Sequence, residues 1–409
     1  MPRYLEVGCG FGFSLDFARF AFGWEVQGID PSPLAAAGRH ALDLEIRPDY
    51  LTPETDLGPR FDLVLCSEVL EHVADPRGFL ALVRTQIAED GALALTTPNA
   101  AAVQRDAPVA SLLPILSPGH HLVLLGRSAL EALLRDAGFP HVRVWEKPTT
   151  LHAVASYQSG PLRDPAVVDR AEYRRYLRSR AAAIPPDTPL GLGFAYRFFK
   201  ESVCAADYGT AEWSFDRLRA GYRERFRVDP AEPASLDLGP STPRDFQGFA
   251  RAFPFNLTGV FFFRGIVAMN REGDFERARS FFHAAESSGR VVRAALLSIG
   301  ADDGETEHLT WQARLHALYC AAALSPGAAA DQLRELSREG ARGRSIGADH
   351  SPIPRPLLAA ACLQLVARLW EAGHYSHAAR AARVGLATAG APQLVRALAA
   401  RTLATGGRA

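Results

Sequence analysis

Three features of this 409-residue sequence predict an α/β domain followed by an all-helical one. Short apolar runs alternate with amphipathic stretches over roughly the first 160 residues. Beyond that point the strand signal largely disappears. The charge changes sign at the same place: residues 1–160 hold 12 basic and 19 acidic residues, a balance of −7, whereas residues 161–409 hold 33 and 26, a balance of +7. At roughly 150 residues per domain, the length accommodates two or three cores. The expected division is 1–158 and 159–409.

In the first part, residues 3–8 read as a short buried strand, 14–22 as a helix, 25–30 as a second strand and 33–41 as an Ala-rich helix. The run Phe61–Cys66 is almost entirely apolar, as in the middle of a parallel sheet. A helix over 76–87, a strand over 91–97 stopped by Pro98, a helix over 128–137 ended by Gly138, and strand-like runs near 141–146 and 152–157 complete the series. Strands alternating with helices predict a doubly wound sheet, whose ligands bind beyond the carboxyl ends of the strands.

The first such turn reads Glu6-Val-Gly-Cys-Gly-Phe-Gly12. Glycines at alternate positions between a strand and a helix let the backbone approach a ligand closely. The second strand ends in Asp30, 18 residues after Gly12, where a carboxylate can accept hydrogen bonds from ribose hydroxyls. Together they outline a pocket for a nucleoside-bearing cofactor. The spacing lacks the GxxG continuation that seats a pyrophosphate.

Five ordered segments, Leu5–Gly12, Gly28-Ile-Asp30-Pro-Ser, Phe61–Val73, Gly91–Asn99 and Leu133–Phe139, resemble the class I S-adenosylmethionine-dependent methyltransferases over about residues 3–158. The resemblance implies a Rossmann-like, seven-stranded mixed sheet with S-adenosylmethionine as cofactor. It implies that Glu6, Gly8, Cys9, Gly10 and Gly12 surround the methionine part, that Asp30 holds the ribose, and that Pro31 and Ser32 lie beside the adenine. Asp49 would approach the adenine amine. Ser67 and Glu68 would line the methyl-transfer face. An alternative for Ser67 is a helix cap before residues 69–73. Relatives carry one or two helices before the first strand, whereas this sequence enters the strand by residue 3. Cover for the cofactor is then expected from elsewhere in the chain, from a partner, from a longer start, or not at all.

Methyl transfer from a sulfonium needs an oriented acceptor, and a base helps when that acceptor is an alcohol. On a helix, Glu68, Glu71 and His72 would share one face, and His120 and His121 follow the fifth strand. His120, His121 and Glu68 are the catalytic candidates. Glu68, Glu71, His72 and His121 suit a divalent cation such as Mg²⁺. The ExxEH string resembles that of ubiquinone-pathway and small-RNA 2′-O-methyltransferases, where it holds a metal. The alternative is that Glu71 and His72 cap and pack the following turn.

In the second part, Pro185-Pro186 and Asp229–Pro243 read as linkers. Ala206-Asp-Tyr208, Gly273-Asp-Phe275 and Gly373-His-Tyr375 each place an aromatic two residues after a small residue and an alanine five after it. Their separations of 67 and 100 residues approach multiples of the roughly 34-residue tetratricopeptide period. A degenerate unit is expected in 311–338, and an irregular helical bundle is the alternative. Phe255, Phe261, Phe262 and Phe263 are expected in the core.

Several classes are disfavoured. No run of 18 apolar residues is present, so no membrane span is expected. Five scattered cysteines without a CxxC pair, and a start without a charged segment leading into an apolar one, fit a cytoplasmic location. The arginines of the second part form no dense patch, so nucleic acid is not an expected partner. The expected function is methylation of a hydroxyl on a sugar, glycan or secondary metabolite, with the helical domain positioning a large acceptor, a carrier or a protein partner. The alternatives are metal-assisted methylation of a phenol or quinone precursor, and an inactive repeat scaffold.

Overall fold

The computed structural model describes residues 1–105, 109–159, 170–235, 238, 242–254, 256–301, 303–329, 331–333 and 355–389. The chain divides into two units, Met1–Tyr176 and Leu177–Ala409.

The first unit is built on strands β1 (Arg3–Val7), β2 (Glu25–Ile29), β3 (Ile46–Arg47), β4 (Phe61–Ser67), β5 (Ile87–Pro98), β6 (His141–Glu146) and β7 (Thr150–Ser156). They form one sheet in the order β3-β2-β1-β4-β5-β7-β6. All neighbours are parallel except β7, which runs antiparallel to both β5 and β6. The seven-stranded mixed sheet is the one the sequence resemblance implies. Its strand order reverses between β1 and β4, which puts the switch-point crevice at the glycine turn.

The helices of this unit are α1 (Phe13–Phe22), α2 (Pro33–Leu42), α3 (Pro76–Thr85), α4 (Val109–Leu116) and α5 (Arg127–Asp136), and α6 (Arg170–Ala183) begins within it. Pro33 and Pro76 stand in the first turns of α2 and α3, where no backbone donor is needed, and Ser32 and Asp75 accept cap hydrogen bonds from Ala35 and Gly78. Two boundaries differ from expectation. The helix expected over 76–87 ends at Thr85, and β5 starts at Ile87, four residues before the glycine expected to open it. Helix α4 was not expected, because its sequence is apolar all round and contains Pro114, so no amphipathic period marks it.

Beyond β7, the chain returns to α1. Phe17 meets Tyr173 and Tyr176 edge-on at 6.0 and 5.3 Å between ring centroids. The Tyr176 hydroxyl donates to the fully buried Asp16 carboxylate at 2.9 Å. The outer side of α1 is thus packed by a later segment of the same chain.

Helix α2 abuts the glycine turn so closely that a Cβ at Gly38 would stand 2.0 Å from the Phe11 carbonyl oxygen. Backbone cannot yield as a flexible side chain does, so Gly38→Ala is expected to cost about 1–3 kcal/mol through displacement of the turn. Denaturant unfolding would measure this, and a midpoint equal to the native one would show that the contact is not tight.

The second unit is helical throughout its described residues. Helices α7 (Pro189–Cys204) and α8 (Tyr208–Phe226), α10 (Leu257–Val267) and α11 (Phe275–Ser298), and Arg355–Glu371 and Tyr375–Ala389 form three pairs. Helix α9 (Phe246–Ala252) precedes α10, and α12 (Gly304–Leu324) packs on α11. The three small-residue motifs fall on the turns within these pairs. Ala206, Gly273 and Gly373 all have left-handed φ, at 57°, 68° and 78°. The next amide reaches back into the preceding helix, from Asp207 to Ser202, Asp274 to Ala268 and His374 to Leu369. Ala211, Ala278 and Ala378 are buried, which permits close helix contact. Part of the expected unit at 311–338 lies outside the described residues, as does Phe255. Phe261, Phe262 and Phe263 are core. The stretch Phe246–Glu272 has the length and mean hydropathy of a membrane span although polar residues interrupt its apolar run; most of its apolar window is buried in this helical core.

Candidate functional site

The turn after β1 is a chain of left-handed glycines: φ is 73° at Gly8, 51° at Gly10 and 83° at Gly12. Only glycine takes this conformation without strain. It turns the Gly10 amide toward Asp30, whose Oδ2 accepts it at 2.8 Å while Oδ1 accepts the Ser32 amide at 2.8 Å. Asp30 is buried, so these charge-assisted bonds clasp the β1 turn to the start of α2. Each carboxylate oxygen keeps a further lone pair for a ligand hydroxyl. Ser32 caps α2, and Pro31 is exposed beside it. Cys9 is buried within the turn, and burial pushes its thiol up to about 12, so it is inert as a nucleophile. Asp49 is exposed beyond β3; it bonds its neighbour Tyr50 and stands 3.9 Å from Arg47.

Glu6 is buried at the end of β1 and accepts a hydrogen bond from the Ser14 hydroxyl of α1. Burial pushes its carboxyl up to about 7; the Ser14 bond opposes that shift and Asp30 adds to it. An isolated acid this far from water favours its neutral form, so the position is suited to a cationic partner.

Residues after β4 do not form the expected α-helix. Glu68 has φ 55°, and only a 3-10 turn, Leu70–His72, follows. Left-handed backbone at a non-glycine residue carries strain and concentrates at functional sites. The Ser67 hydroxyl does not cap a helix; it lies 2.8 Å from the Thr96 hydroxyl, which in turn donates to Glu68 Oε1 at 2.8 Å.

The four residues expected to hold a cation divide. Successive residues of a strand face opposite sides of the sheet, and Thr96 binds Glu68 whereas Thr97 donates to Glu71 Oε2 at 2.9 Å. Glu71, His72 and His121 converge, with potential ligand atoms within 4.8 Å of one another, and Glu68 is not among them. His72 Nδ1 donates to the His120 carbonyl at 3.0 Å and His121 Nδ1 to the Ile115 carbonyl at 2.7 Å. Each ring therefore keeps its Nε2 lone pair free for a ligand. Glu71 is 1% exposed, and its Oε1 has no hydrogen-bond partner. Burial raises its carboxyl above the ordinary range. The chemistry of the set, one orphaned buried oxygen and two imidazole lone pairs, fits a divalent cation. His120 is exposed, and it enters the cluster through its backbone oxygen.

Sequence reading passed over His152 on β7, which lies directly opposite Thr96. The β5–β7 pairing that puts it there joins positions too distant in sequence for a motif to mark.

Residues 2–144 match the family model for a methyltransferase domain. The chain is 39% identical over 104 residues to the ubiquinone biosynthesis O-methyltransferase of Azorhizobium caulinodans, a stretch that covers 24% of this chain and 40% of that protein. It is 35% identical over 152 residues to the protein of the same name from Pseudomonas paraeruginosa, covering 33% and 62%. The chain thus spans less than two thirds of the length of these curated relatives. A solved S-adenosylmethionine-dependent methyltransferase from Archaeoglobus fulgidus is 18% identical, with 38% of this chain and 85% of that one covered and a TM-score of 0.31. The glycine turn, the Asp30 clasp and the reversal of strand order between β1 and β4 all fall within residues 2–144, the stretch that matches the methyltransferase-domain model.

Proposed function

We propose that this chain transfers a methyl group from S-adenosylmethionine to an oxygen acceptor. The observation that carries the reading is the left-handed glycine turn clasped by Asp30 beside a buried, readily neutralised Glu6. In this arrangement Asp30 receives the ribose hydroxyls, and Glu6 faces the ammonium of the methionine part. Oxygen as the acceptor atom is supported by the names of the relatives. Those names also favour a phenolic hydroxyl over the sugar or glycan hydroxyl expected at first, because a quinone precursor carries one. The paired helices of the second unit suit a tetratricopeptide-like surface for a bulky acceptor or a protein partner.

Glu71, His72 and His121 would hold the divalent cation, with its charge set against the buried Glu71 carboxylate. A bound cation would supply positive charge to this cluster and so fix the turn after β4 that carries Glu68. The three residues by themselves already tie the turn after β4 to the 115–123 segment, since the Glu71 backbone carbonyl also accepts from the Leu122 amide at 2.7 Å.

Isothermal calorimetry with S-adenosylmethionine, followed by labelled methyl transfer to 3,4-dihydroxybenzoate and to free sugars with and without EDTA, tests the reading. Micromolar donor binding and transfer to the phenol are expected. Absence of donor binding would leave the inactive scaffold standing. Transfer to sugars alone would overturn the phenolic assignment, and transfer indifferent to EDTA would remove the cation from the chemistry.

A further inference from the structure

The strand pairings carry one face of the sheet continuously from the cofactor turn to β7. Glu6 pairs with Leu65, two residues before Ser67; Ser67 pairs with Thr96, Thr96 with His152, and His152 with Trp145. Paired residues point to the same side. Glu6, Ser67, Thr96, His152 and Trp145 therefore share one face near the carboxyl ends of β1, β4 and β5, and the Ser67–Thr96 hydroxyl contact shows the row in place. Thr97 and Glu71, with His72 and His121 beside Glu71, lie toward the other face. The side chains behind the row, Leu65, Ala94 and Val154, are apolar and half-buried, so they make a low floor beside it.

Resting on the methyl-transfer reading above, we propose that His152 takes the proton from the acceptor hydroxyl, with Glu68 stabilising the imidazolium that forms. On this proposal the role passes from His120 and His121, because His121 belongs to the cluster on the other face and His120 reaches that cluster through its carbonyl. His152 is half-buried; loss of water and the Lys147 charge lower its tendency to hold a proton, whereas Glu68 acts in the opposite sense. The balance favours the neutral ring, which can accept a proton, and a nearby carboxylate offsets the charge it gains. Glu68 is held for this by the Thr96 hydroxyl and by its own left-handed backbone. In the step, the acceptor oxygen bonds to the methyl carbon and the carbon–sulfur bond breaks. Its electron pair stays on sulfur, giving the neutral thioether. The acceptor proton passes to a ring nitrogen of His152 and then to solvent.

The test does not require the acceptor. S-adenosylmethionine and S-adenosylhomocysteine differ by one methyl and one positive charge at the sulfur. An imidazole beside the methyl feels that charge and a distant one does not. In the full chain labelled at histidine Cε1, with the His152 resonance assigned through His152→Gln, this resonance is expected to titrate at lower pH in the sulfonium complex than in the thioether complex. Coincident titrations in two complexes that calorimetry shows to be saturated would overturn the proposal. If neither compound binds, the donor assignment itself has failed and the inference falls with it. With 3,4-dihydroxybenzoate as probe, His152→Gln is expected to lower kcat by about 10²-fold and to erase the rising limb of its pH profile, with donor affinity unchanged. Loss of that limb in His121→Gln and its retention in His152→Gln would place the base on the other face.

Discussion

Replacing Asp30 with Ala should lower donor affinity by 10²-fold or more while leaving a folded chain. Two effects act together. The carboxylate that would receive the ribose hydroxyls disappears, and so do the acceptors of the Gly10 and Ser32 amides, both at 2.8 Å. Hydrogen bonds to a charged group contribute about 1.5–3 kcal/mol each, and an amide left without its acceptor loses more than the bond alone. The glycine turn then loses its tie to α2, and donor binding must order it. Asp30→Asn should fall between, because one amide oxygen can replace one of the two carboxylate oxygens. Calorimetry with S-adenosylmethionine and with adenosine separates the effects. A loss confined to the methionine-bearing ligand would mean that Asp30 does not face the ribose, and an unchanged affinity would remove it from the site altogether.

Where residues work through backbone shape, the sequence announced them. Alternating glycines after an apolar strand and a carboxylate at the end of the next one are local patterns, and the structure places them where the strand order reverses. The small residues at 206, 273 and 373 are legible for the same reason, since each must enter left-handed backbone between two helices. Interactions decided by strand pairing stayed hidden. Glu68, Glu71 and His72 read as one helical face because their spacing is helical, yet the positive φ of Glu68 breaks that face, and the adjacent threonines 96 and 97 draw the two carboxylates to opposite sides. His152 lies 56 positions from Thr96 in the sequence, and only the antiparallel insertion of β7 between β5 and β6 makes them neighbours. Helix α4 escaped notice because its uniform apolarity carries no period.

Glu6 links binding to pH, and Glu6→Gln should break that link. The carboxyl sits at about 7 in the folded chain against 4.5 when free of the fold, chiefly because burial disfavours its charge. Below pH 4.5 both states hold the proton and the position costs nothing. As pH rises toward 7 the unfolded chain ionises first, so stability declines, and above about 7 the loss levels off. The gap between the two values corresponds to about 3 kcal/mol. Glu6→Gln keeps an acceptor for the Ser14 hydroxyl but carries no charge, so its stability should be flat across that window and should exceed the native value at pH 8. Binding should show the converse. A donor ammonium beside Glu6 favours the ionised form, and complex formation near pH 6 therefore releases up to one proton from this side chain. Titrations in buffers of different ionisation enthalpy count that proton directly. The Gln variant should release none and should bind the donor more weakly, by about 10-fold, since a neutral amide replaces the anion that faces the ammonium. Proton release identical in both forms would separate Glu6 from the donor, leaving its burial a matter of packing between β1 and α1 alone.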